Sequence, residues 1–230
     1  MTGLFTGLFA LSGCGSAGAV RDPHITVDLT EEGAKTRPPS LADALGQMDP
    51  VAVAARCGPA VVVIVGATKQ GSGAVLRERS LVVTNAHVVE GESALTIKFK
   101  DGRTVKGEVA IVDDEADLAL IRIPPGDYAT VALGDSDHVQ PGQPVLAIGA
   151  PLGLEQTVTS GEIAAERILD GVRFLQISVP ISHGSSGGGL FDRSGNLIGV
   201  TTGSIENGQN LNFAVPASAV KRLLAKEAAR

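Results

Sequence analysis

From Ala60 onward the chain is a succession of short apolar runs cut by Gly, Asn, Asp and Pro, the pattern of strands joined by tight turns. A first series comprises Val61-Val62-Val63-Ile64-Val65, Gly73-Ala74-Val75-Leu76, Leu81-Val82-Val83, Leu95-Thr96-Ile97-Lys98-Phe99, Val105 to Val112 and Leu118 to Ile123. Gly142-Gln143-Pro144, after Asp135-Ser136-Asp137, marks a crossover. A second series then runs through Val145 to Ile148, Gln156 to Ser160, Glu162 to Ile168, Phe174 to Val179, Leu197 to Val200 and Leu211 to Val215. Six strands in each series predict an all-β fold of two antiparallel barrels, at about 59–135 and 142–216.

Helix is a minor component. Asp49-Pro50 supplies a cap and a first helical position, and Gly58-Pro59 stops that helix. After Pro216, Val220, Leu223 and Leu224 recur at i, i+3, i+4, with Lys221, Arg222 and Lys226 outside or near the end, predicting a closing amphipathic helix over 216–228. Residues 15–49 lack a sustained period and read as a tether or arm, with a short helix over Leu41 to Leu45 started by Ser40 and Asp43.

Composition narrows the function classes. A chain of 230 residues with 43% hydrophobic content buries a sizeable core, and a net charge of −6 with scattered Lys and Arg excludes a phosphate-neutralising nucleic-acid binder. No apolar run reaches the roughly 20 residues of a spanning helix. Near the start, however, Leu11-Ser12-Gly13-Cys14 resembles a bacterial lipobox, which makes residues 1–14 a lipoprotein signal and Cys14 a lipid-carrying residue, although no Lys or Arg precedes it as a secretory signal normally requires. With Cys14 so used, Cys57 has no partner in the chain. It is expected to be a small buried hydrophobe in a fold that does not depend on disulfides.

The candidate chemistry is that of a nucleophilic serine. A serine hydroxyl near neutral pH needs an imidazole to take its proton and a carboxylate to orient that imidazole. His87 follows the strand Leu81 to Thr84, Asp117 opens the apolar run Leu118 to Ile123, and Ser186 lies in Gly184-Ser185-Ser186-Gly187-Gly188-Gly189. The order His, Asp, Ser is that of chymotrypsin and of neither subtilisins nor α/β-hydrolases. His87 and Asp117 belong to the first series and Ser186 to the second, so they meet only in a cleft between the barrels. Ser185 is one place out of register with Gly-x-Ser-Gly-Gly, and Asp113, Asp114 and Glu115 form a polar turn. The amides of Gly184 and Ser186 are the expected oxyanion donors. His24, His138 and His183 have no neighbours at metal-ligand spacing, so neither metal nor cofactor is expected; His183 is read as a solvated loop residue.

Thr84-Asn85-Ala86-His87-Val88-Val89, Asp117-Leu118-Ala119-Leu120, Leu133-Gly134-Asp135-Ser136-Asp137, Val145-Leu146-Ala147-Ile148-Gly149, Thr157-Val158-Thr159-Ser160-Gly161 and Gly184 to Gly188 resemble, in order, the protease domain of the HtrA/Deg family over about residues 50 to 220. The resemblance implies a trypsin-like double barrel, ATP-independent endopeptidase activity on unfolded or extended polypeptides in the cell envelope, His87 as base, Asp117 as its orienter and Ser186 as nucleophile. It also implies a homo-oligomer, often a trimer assembled through N-terminal segments. Ser185 stands where the family usually has Asn, and Gly189 where it has Pro or Ala; both changes are expected to loosen the loop. The chain stops at Arg230, before the PDZ domain of many relatives, so peptide gating through such a domain is not expected. Nor is control by a long loop at Gly66 to Gly71.

Gln176 to Pro180, ahead of the serine loop, supply no acid to floor a basic-residue pocket. Ile181, Thr201 and Thr202 are expected to line an apolar one, with substrate adding as a strand along Thr202, Gly203 and Ser204. The rival reading is a non-catalytic chymotrypsin-fold module that holds peptides or a partner.

Overall fold

The computed structural model describes residues 48–77, 80–150, 156–181, 184–204 and 211–230. The lipobox with Cys14, the arm with its expected helix at Leu41 to Leu45, His24 and His183 lie outside these residues.

Helix α1 (Pro50–Cys57) begins as expected. The Asp49 carboxylate accepts the Ala52 N–H at 2.8 Å with Pro50 next in line, and a short 3-10 turn (Gly58–Ala60) leads into the first strand. Strands β1 (Val61–Val65), β2 (Gln70–Val75), β3 (Leu81–Thr84), β4 (Leu95–Lys98), β5 (Thr104–Asp113) and β6 (Leu118–Arg122) close one antiparallel barrel in the order β1-β2-β3-β6-β5-β4. One helical turn, α2 (Ala86–Val89), follows β3. Strands β7 (Pro144–Gly149), β8 (Thr157–Leu169), β9 (Val172–Ile177), β10 (Gly189–Phe191), β11 (Leu197–Ser204) and β12 (Asn212–Pro216) close the second, β10-β11-β12-β9-β8-β7, and α3 (Ala217–Ala228) ends the chain.

The continuous apolar runs have a physical cause. Side chains alternate across a strand, and here both faces are buried. Val62, Ile64, Val82, Ala119 and Ile121 fill the interior of the first barrel. Their neighbours Val61, Leu81, Val83, Leu118 and Leu120 turn outward into a second core, shared with Leu146, Ile148, Phe191 and Val200 of the other barrel and with Val220 and Leu223 of α3. The interior of the second barrel holds Val145, Ala147, Ile163, Leu175, Leu190 and Ile198. Cys57 is buried at this shared core, its thiol pushed up to about 11 by burial and donating to the Gly195 carbonyl at 3.3 Å.

The second barrel departs from expectation in two places. Gln156 to Ser160 and Glu162 to Ile168 are one strand, β8, because Gly161 is no turn: it pairs with Val145, and a Cβ there would lie 2.8 Å from Ser178 Oγ and 2.9 Å from the Val179 nitrogen. The sixth strand is instead β10, whose Gly189 leaves room for the Phe191 ring, 2.4 Å from where a Cβ would stand.

Candidate active site

Asp117 precedes β6 in the left-handed region, at φ +51°, a conformation that a non-glycine residue holds only when its surroundings enforce it. Three groups do so. Asn85, fully buried ahead of α2, donates Nδ2 to the Asp117 carbonyl at 2.9 Å; the His87 amide donates to Asp117 Oδ1 at 3.1 Å; and Thr202 of β11 donates its hydroxyl to Oδ2 at 2.9 Å. Both carboxylate oxygens lie 2.9 Å from His87 Nδ1. A carboxylate only accepts, so Nδ1 carries a proton, and in the neutral ring the lone pair lies on Nε2. Burial pushes the Asp117 carboxyl up, but its bond to His87, the charge of that ring, the His87 amide and Thr202 together hold it below the ordinary carboxylate value. His87 itself stands on the turn α2, with Val88 and Val89 anchored in the first barrel's interior.

Asp113 is occupied elsewhere, accepting from the Ala116 amide at 3.2 Å and Lys226 Nζ at 2.8 Å.

Ser186 sits at the second position of a tight turn closed by the Gly188 amide on the Ser185 carbonyl at 2.9 Å. Gly187 occupies the third position at φ +85°, the geometry of a type II turn, which demands glycine. Gly184 precedes the turn at φ +90°. Ser72 of β2 and Thr201 of β11 bond the carbonyls of this glycine-rich loop. The amides of Gly184 and Ser186 donate to no group among the described residues. Gly71 lies between Val88 and the Ser186 carbonyl, where a Cβ would be 2.7 and 3.2 Å from them, so glycine here lets the turn that carries His87 and the loop that carries Ser186 approach. No hydrogen bond joins Ser186 Oγ to the His87 ring in this structure.

Beside the loop opens a cleft lined by Ala147, Gly149, Thr157, Thr159, Pro180, Ile181, Ser185 and Thr201. Ile181 and Thr201 are among them, and none of the described lining residues is a carboxylate. The Thr202 hydroxyl is turned to Asp117. Gly203 is exposed, and Ser204 pairs with Asn212. On the other side of β11, β10 pairs only as far as Val200 and the serine loop bonds Thr201, which leaves the edge from Thr202 to Ser204 open among the described residues. Ser72, Asn85 and the role of Thr202 escape sequence reasoning. The one available signal is polarity inside apolar strands, where a hydroxyl or amide must find a buried partner.

Residues 71–200 match the family model described as a trypsin-like peptidase domain. The Synechocystis sp. protein HhoB is 40% identical over 154 residues, 64% of this chain and 37% of that protein. Serine protease HTRA1 of Xenopus tropicalis is 35% identical over 165 residues, 68% of this chain and 35% of that protein. Among solved structures, the HtrA-type protease AlgW with tripeptide superposes with a TM-score of 0.72 at 32% identity, covering 77% of this chain and 63% of that one. A serine endoprotease from Yersinia pestis gives 0.71 at 29%, over 78% and 66%. The chain therefore belongs to the trypsin-like peptidase family, as an HtrA-type serine protease domain. It spans little more than a third of the length of these curated relatives.

Proposed function

We propose that this chain is an endopeptidase that hydrolyses peptide bonds in unfolded or extended polypeptides through Ser186, His87 and Asp117. His87 Nε2 takes the Ser186 Oγ proton as Oγ attacks the scissile carbonyl, and the Gly184 and Ser186 amides receive the resulting oxyanion. Asp117 balances the imidazolium, which then protonates the leaving amine. Water, activated by the same imidazole, releases the acyl group from Ser186. No step consumes ATP, since hydrolysis is downhill and every proton moves between groups in the site.

The observation that carries this reading is the His87 ring fixed through Nδ1 by a carboxylate that the His87 amide and the Thr202 hydroxyl also hold, in a chain whose relatives are serine proteases. An open edge at Thr202 to Ser204 favours extended substrate, and a cleft with no carboxylate among its described lining residues favours cleavage after small or medium apolar residues. An active-site-directed fluorophosphonate is the test. The label is expected on Ser186, with Ser186→Ala losing both label and casein hydrolysis; label on Ser185 overturns the assignment of Ser186, and no label supports the rival non-catalytic module.

A periplasmic DegP-like serine endoprotease of Halomonas elongata is among the relatives, at 39% identity over 153 residues, which favours an extracytoplasmic location. No helix among the described residues is long and apolar enough to cross a membrane. Attachment is proposed through lipid on Cys14, and self-assembly through residues 15–50. Cys14→Ser is expected to release the product from the membrane fraction or leave it unprocessed.

A further inference from the structure

Two buried hydroxyls, one from each barrel, close on the turn that carries Ser186. Ser72 is fully buried in β2. Its amide donates to the Ser186 carbonyl at 2.8 Å, and its Oγ donates to the Gly184 carbonyl at 2.7 Å while accepting the Ala150 amide at 2.8 Å. Thr201 in β11 is 1% exposed. Its Oγ1 donates to the Ser185 carbonyl at 2.8 Å, with the Gly188 carbonyl at 3.2 Å sharing that proton. Its own amide and carbonyl pair with Gly188 and Gly187, each at 2.8 Å. Three successive carbonyls, of residues 184, 185 and 186, are thereby held from outside the turn.

A trans peptide is planar, with its N–H pointing opposite to its C=O. Whatever fixes the Ser185 carbonyl therefore aims the Ser186 N–H, and whatever fixes the Gly184 carbonyl sets the plane before it. Rotation of the 185–186 peptide turns the Ser186 N–H away from the cleft and breaks the bonds from Thr201 Oγ1 and the Gly188 amide together. Glycines at 184, 187 and 188 supply the freedom for such a rotation, so something other than the loop's own sequence must prevent it. A buried hydroxyl is costly unless satisfied, and both of these are satisfied by the loop itself.

We propose that Ser72 and Thr201 are positioning residues, one from each barrel, that lock the Gly184–Gly188 turn with the Ser186 amide aimed at the developing oxyanion. This rests on the reading of Ser186 as nucleophile. The hydroxyls touch no reacting atom; they act by excluding the rotated form of the loop.

The test compares the wild-type chain with Thr201→Val, which keeps shape and removes the hydroxyl, with Thr201→Ser and with Ser72→Ala. Each is assayed on a fluorogenic peptide amide, against a peptide boronate that forms a tetrahedral adduct, and by calorimetry to show that it is folded at the assay temperature. Loss of an oxyanion donor outright costs about 10²–10³-fold in kcat. Misaiming one is expected to lower kcat by about 10- to 100-fold in Thr201→Val and Ser72→Ala, with KM within about threefold and boronate affinity falling with kcat. Thr201→Ser should recover most of the loss. Folded variants with kcat within about twofold of wild type, a loss confined to KM, or failure of both variants to fold overturns the proposal. A wild-type chain that neither labels nor turns over defeats the peptidase reading, and this one with it; an active wild type with unaffected variants defeats this one alone.

Discussion

At Gly187 the chain has room for no other residue. A Cβ there would lie 2.1 Å from the Ser72 carbonyl oxygen and 2.3 Å from Thr84 Oγ1, and φ is +85°. Two backbones and a buried hydroxyl meet at this point, so neither neighbour can yield as a flexible side chain would. Gly187→Ala is expected to abolish labelling of Ser186 and to lower stability by about 2–4 kcal/mol, measured by denaturant unfolding. Asp117→Asn should lower kcat by about 10⁴-fold, because an amide can accept and donate and so stabilises the wrong tautomer of His87. The same carboxylate has a pH signature. Its folded pKa lies below the ordinary value, so the stability it contributes is complete above about pH 4 and is lost as pH falls through the folded pKa. Wild-type protein should therefore lose more stability than Asp117→Asn between neutral pH and pH 2. The candidates His87, Asp117 and Ser186 were legible in the sequence because residue type and order single them out. Its supports were not: Asn85, Thr202 and Ser72 act through the register of strands from different barrels, and Thr202 reaches Asp117 across 85 positions.

Among the elements, the four-residue connection between β1 and β2 is held by one side chain. Glu92, just past α2, accepts from the amides of Ala67, Thr68 and Lys69 and from Thr68 Oγ1, and these bonds hold its carboxyl down to about 2. Lys69 in turn donates to the His87 carbonyl at 3.0 Å and pairs with Glu90 at 2.8 Å. Because Glu92 is only half-buried, its worth lies in order more than in global stability. Glu92→Ala is expected to speed hydrogen exchange at the amides of 67–69 while moving the melting temperature little. Strand reading from the sequence succeeded where apolar runs were bounded by turns and failed where glycine meant close approach. Gly161 splits β8 on paper and not in space, and Gly189 conceals β10, since a missing Cβ looks the same in sequence whether it permits a turn or a neighbour.

At the scale of the molecule, the two barrels are not independent units that share a cleft. Strands of each turn one face into a common core with α1 and α3, and the site adds bonds across the same boundary: Thr202 to Asp117, Ser72 to Gly184 and Ser186. Helix α3 contributes Ala219, Val220 and Leu223 to that core, while Lys226 pairs with Asp113 and the largely buried Glu227 with Arg122 on the first barrel. A helix that follows β12 of the second barrel is thereby fastened to the first. Leu223 is 1% exposed, and Leu223→Ala should cost about 2–4 kcal/mol by lost burial and the cavity left behind. The distribution of that loss is the sharper expectation. If the shared core couples the barrels, calorimetry should show one transition at a lower temperature, with calorimetric and van't Hoff enthalpies still equal, and a peptide boronate bound at Ser186 should raise that single transition. Two separated transitions in Leu223→Ala, only one of them displaced by the boronate, would mean that each barrel unfolds alone and that the core between them is mere contact.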